Sequence, residues 1–188
     1  MSARAVVAAL ALLIAAPVSA HRLDEYLQQT MISVEKGRVR AQIVLVPGAA
    51  VFADVLARID TNADGVISEA EQRAYAQRVL RDVTLKVDGE RLALRLASWT
   101  FDGTNALREG RGSIQIDFDA DVPRRGSDRR LTFENRHETR SAAYLVNALV
   151  PRDPDIRLGT QDRNFEQSFY ALDYVDAAGS GFRARRPR

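Results

Sequence analysis

Apolar residues recur at period two through most of this chain. Gly, Pro, Asp and Asn clusters separate the alternating runs, and one stretch before Asp60 changes to helical period. These three observations predict a mainly-β fold, an Ig-like β-sandwich, with one helix–loop–helix set between strands.

The chain opens with "MSARAVVAALALLIAAPVSA". One early cation, Arg4, precedes an apolar run from Ala5 to Ala16. The small residues Val18, Ser19 and Ala20 end it, spaced as a signal peptidase requires. The run is too short to span a bilayer. Residues 1–20 therefore read as a cleaved export signal, and the mature chain is expected to start at His21 in the periplasm. The sandwich is expected over 21–176, interrupted at 51–83, with a disordered basic tail, "FRARRPR", within 177–188. No later stretch is apolar enough to cross a membrane.

The first strand is expected over Tyr26 to Val34, with "EKGR" as the turn. "RVRAQIVLV" follows, placing Val39, Ala41, Ile43 and Leu45 on one face. Phe52, Val55, Leu56 and Ile59 then fall at helical spacing. A second helix is expected from about Ser68 to Arg81, with Ala70, Ala74, Leu80 and Val83 on its apolar side. "LKVDGERLALRL" reads as a hairpin about Asp88-Gly89, because both turn positions tolerate positive φ. "SIQIDFDADV" alternates Ile114, Ile116 and Phe118 with Asp117, Asp119 and Asp121. Those acids read as a solvated face beside Arg124, Arg125, Arg129 and Arg130 rather than a metal patch. "LTF", "AYLVNALV", "IRLGT" and "FEQSFYALDYV" complete the strands.

Between the two helices lies "DTNADGVISEAE", Asp60 to Glu71. Calcium is a hard cation that takes six to eight oxygens. Here Asp60, Asn62 and Asp64 stand at positions one, three and five. Gly65 supplies the sharp turn at six, and Val66 offers its carbonyl at seven. Ser68 at nine can hold a water, and Glu71 at twelve is the long bidentate carboxylate. Over roughly Val51 to Val83 the segment resembles the EF-hand family. No second loop pairs with it: "DFDADVPRRGSD" has Val122 where glycine is required and Asp128 in place of the terminal Glu. A lone hand implies affinity on the order of 0.1–1 mM, suited to a structural role rather than sensing.

The chain has two histidines and no cysteine. An N-terminal His21 could offer both its amine and its imidazole to copper, nickel or zinc, with His137 completing the site. The alternative is an N-terminus without a role and an exposed His137 in the polar stretch "ENRHETRS". No nucleophile elbow, phosphate loop or helical two-histidine motif appears, so no enzyme is expected. Net charge is +2 with basic residues scattered outside the tail, and no nucleic-acid module is present.

"AHRLDEYLQ", "IDTNADGVISEAEQRAY", "LKVDGERL" and "YLVNALVPRD" together resemble the exported N-terminal region of HupE/UreJ-type, nickel/cobalt-transporter-like membrane proteins. The resemblance covers most of residues 20 to 175. It implies a free-standing periplasmic domain assisting a separate inner-membrane transporter. The expected function is a calcium-binding accessory module. The alternative is a transition-metal binding protein using the N-terminal histidine.

Overall fold

The computed structural model describes residues 24–177. The expected export signal, His21 and the expected tail beyond Ala177 lie outside the described residues.

Strands β1 (Tyr26–Glu35) and β2 (Arg38–Pro47) form an antiparallel hairpin whose turn uses Gly37 at φ +67°. Val39, Ala41, Ile43 and Leu45 are buried, as their alternation predicts. Helices α1 (Phe52–Ile59) and α2 (Glu69–Arg81) follow. Strands β3 (Val83–Val87) and β4 (Glu90–Arg91) close about Asp88 and Gly89, at φ 51° and 81°. The expected hairpin is cut short there. Leu92, Leu94 and Leu96 keep their alternation, but the chain leaves this sheet and enters the other as β5 (Arg95–Phe101). Alternation fixes which face is buried; it does not fix which strand is the partner.

A short helix, α3 (Thr104–Arg108), was not legible in the sequence; it buries Leu107. Gly112 is needed beside it, since a Cβ there would lie 2.7 Å from the Leu107 nitrogen. The remaining strands are β6 (Ile114–Asp121), β7 (Asp128–Asn135), β8 (Ala142–Ala148), β9 (Ile156–Arg163) and β10 (Phe169–Asp176).

The fold is mainly β, with two five-stranded sheets. One has the order β5-β6-β2-β1-β8 and the other β4-β3-β7-β10-β9. Most neighbours are antiparallel, but β8 runs parallel to β1. One apolar cluster joins them, drawing Ile43 and Ile116 from the first sheet, Leu85 and Phe133 from the second, and Val55 and Val79 from the helices.

Two expectations about side-chain faces are corrected. The buried side of α2 is Glu71, Tyr75, Ala76 and Val79; Ala70 and Ala74 are exposed. Alanine has little area to bury, so the Tyr75 ring sets the docking face instead. The acids of β6 do project away from the core, but their partners differ from those expected. Asp117 accepts from Gln42 and Ser98, and Arg95 engages Asp119 and Asp121.

Candidate metal loop and the buried histidine

The loop starts where α1 ends. The Asp60 amide closes the helix on the Leu56 carbonyl at 2.8 Å, which leaves its buried carboxylate facing the loop. Asp60 Oδ1 accepts from the Asp64 amide at 3.2 Å, and Oδ2 from the Gly65 amide at 2.9 Å. Asn62 Oδ1 also accepts from Asp64 N, and Asp64 Oδ1 from Val66 N. Each short polar side chain thus holds an amide further along, a conformation such residues favour in turns. Gly65 makes the sharp turn at φ 82°.

Glu71 fastens the loop at both ends. Ser68 is the N-cap of α2, and with Glu71 it forms a reciprocal capping box. Glu71 Oε2 accepts from the Ser68 amide at 3.0 Å and its hydroxyl at 2.8 Å. Oε1 accepts from the Thr61 amide at 2.8 Å. The Ser68 hydroxyl and amide, ahead of Thr61 and Asn62, hold the Glu71 pKa down at about 2. The carboxylate is therefore ionised at neutral pH. Thr61 was missed in the sequence because its contribution is mainly a backbone amide.

All the expected donors carry oxygen, which suits a hard cation. Among the described residues, however, no three His, Cys, Asp or Glu side chains converge as a metal centre. The carboxylates of Asp60, Asp64 and Glu71 are turned onto N–H groups. Like charges confined to one short loop separate and find donors of their own. The Val66 carbonyl and Ser68 complete the donor set along the chain.

Ala63 has φ 56°, beside the glycine turn. A left-handed conformation costs an L-residue about 1–2 kcal/mol. Substituting glycine removes that strain but adds unfolded-state entropy of about 0.4–1 kcal/mol. Ala63→Gly is therefore expected to raise stability by up to about 1.6 kcal/mol. Urea unfolding midpoints of the two proteins measure this; a lower midpoint for the variant would show that the loop does not hold that conformation.

His137 is not the exposed loop residue its sequence context suggested. It is fully buried. Nδ1 lies 2.8 Å from Asp82 Oδ2, and Nε2 lies 3.1 Å from the Tyr75 hydroxyl. The Tyr75 hydroxyl lies 2.8 Å from that of Tyr26. Gln28 and Tyr144 both donate to the His137 carbonyl at 2.8 Å, and the His137 amide donates to Asn135 Oδ1. Both ring nitrogens are engaged, so His137 has none free for a metal ion in this arrangement. Its proposed companion, His21, lies outside the described residues.

The sequence reading missed this cluster because its members are far apart in the chain. An aromatic residue, Tyr75, at helical spacing from Glu71 and Val79 was the local signal. The chain matches no family model, no curated protein and no solved structure.

Proposed function

We propose that this chain is a periplasmic calcium-binding accessory module, an Ig-like β-sandwich whose single EF-hand is a structural staple. The observation that carries this reading is the loop from Asp60 to Glu71. Oxygen donors stand at positions one, three, five, seven, nine and twelve, Gly65 makes the turn, and helices flank both ends. On this reading, a calcium ion would be held by Asp60, Asn62, Asp64, the Val66 carbonyl and Glu71, with Ser68 holding a water. Calcium would draw the three carboxylates inward, replacing their repulsion with a shared attraction. The resemblance to HupE/UreJ-type proteins supports an inner-membrane transporter as the partner.

Calorimetric titration of the calcium-free protein tests the site. One calcium per chain is expected, with Kd on the order of 0.1–1 mM. Glu71→Gln cannot supply a charged bidentate contact, and Asp60→Ala removes the first donor. Each is expected to lose most of the binding heat. Unchanged affinity in both variants would overturn the calcium assignment.

A further inference from the structure

The hydrogen bonds about His137 run in one direction. A carboxylate only accepts, so Nδ1–H donates to Asp82. Nε2 then accepts from the Tyr75 hydroxyl, and the Tyr75 oxygen accepts from Tyr26. Tyr26 is fully buried, and among the described residues Tyr75 is its one hydroxyl partner. Asp82 caps α2, and its side chain is 41 % exposed. The neighbouring residue Glu138 pairs with Arg58 of α1 at 3.0 Å. Both helices are thus fastened to the same short segment between β7 and β8.

We propose that His137 is an acid-sensitive latch, which holds the helix pair on the sheets while its imidazole is neutral and releases it on taking up a proton. A proton on Nε2 would face the hydroxyl hydrogen of Tyr75. Tyr75 would have to turn its hydrogen toward Tyr26, and the Tyr26 hydrogen would lose its acceptor inside the core. A buried donor without an acceptor is costly, and so is a buried imidazolium. Movement of the α2 terminus away from the loop relieves both, because the Asp82 side is already open to water.

The charged and titratable groups around the ring come from every element packed on it. Tyr75 and Arg78 belong to α2 and Asp82 is its C-cap; Tyr26 belongs to β1, Tyr144 to β8, Glu138 to the loop, and Arg58 to α1. Burial lowers the pKa of His137, while Asp82 and Glu138 oppose it and Arg78 adds to it; the net shift is downward. A lowered pKa means that the unfolded chain binds the proton first as pH falls. The stability contribution is complete above the free-histidine value of about 6.5 and is lost as pH falls from there toward the folded value. The latch does not depend on the calcium reading.

Hydrogen exchange of the full exported chain, with a calcium chelator present, tests it at about pH 7.5 and about pH 5. After correction for intrinsic exchange, protection of Glu69–Arg81 is expected to fall several-fold at the lower pH while β2 holds. His137→Gln carries no titrating ring and is expected to flatten the response; His21→Gln is expected to leave it intact. The wild-type His137 ring, followed by NMR, is expected to gain its proton together with the loss of helix protection, which tests the proposal even if His137→Gln folds poorly. Equal protection at both pH values, an unchanged acid response in His137→Gln, or protonation without helix release would each overturn it.

Discussion

Tyr75→Ala is expected to destabilise the protein by about 3–5 kcal/mol, the range for removing a large buried aromatic ring. Tyr75 is only 2 % exposed. Its ring meets Phe101 edge-on at 6.2 Å and His137 at 5.6 Å, so α2, β5 and the β7–β8 loop all pack on it. Truncation opens a cavity where these elements meet and leaves the Tyr26 hydroxyl and His137 Nε2 without their partner. Tyr75→Phe separates the two effects. It keeps the ring and removes only the hydroxyl, so about 1–3 kcal/mol is expected from the unpaired groups. Urea unfolding should rank wild type above Tyr75→Phe and Tyr75→Ala last. If Tyr75→Ala unfolded like wild type, α2 would not be docked through this ring.

The sequence was most legible where structure is local. Val39 to Leu45 and Ile114 to Phe118 bury the faces that their alternation predicts, since neighbours in a strand point oppositely. Asp88-Gly89 turns as expected, because positive φ is a property of those two residues. What failed depended on distant partners. The parallel pairing of β8 with β1 has no connecting turn to announce it. The step from β4 to β5 keeps the same alternation in a different sheet. His137 sits in a polar stretch, yet Tyr75 reaches it across 62 residues and Gln28 across 109. Polar neighbours suggested exposure; partners from other elements, Asp82, Tyr75, Gln28 and Tyr144, make its burial tolerable. In the loop, the donor types and their spacing could be read from sequence, but the way Glu71 bridges Thr61 and Ser68 could not.

Calcium is expected to give the largest ligand effect. A ligand that binds only the folded state stabilises it by RT ln(1 + [L]/Kd), about 2.7 kcal/mol at a hundredfold excess over Kd. For a chain of this size that corresponds to a rise in melting temperature of roughly 5–10 °C. The proposed mechanism is local. Asp60 ends α1, Glu71 lies in the first turn of α2, and a shared cation would fix the angle between the two helices. The apolar sides of those helices, Phe52, Val55 and Ile59 on α1 and Tyr75, Ala76 and Val79 on α2, are already buried. A staple tightens that docking. A sensor would instead expose an apolar groove as calcium binds.

The most direct test is thermal melting of the wild-type chain with and without saturating calcium, read beside a dye that reports exposed apolar surface on the folded protein. A structural hand predicts a higher melting temperature and no gain in dye signal, with the shift absent from Glu71→Gln. An unchanged melting temperature, or a calcium-dependent rise in dye signal, would contradict it.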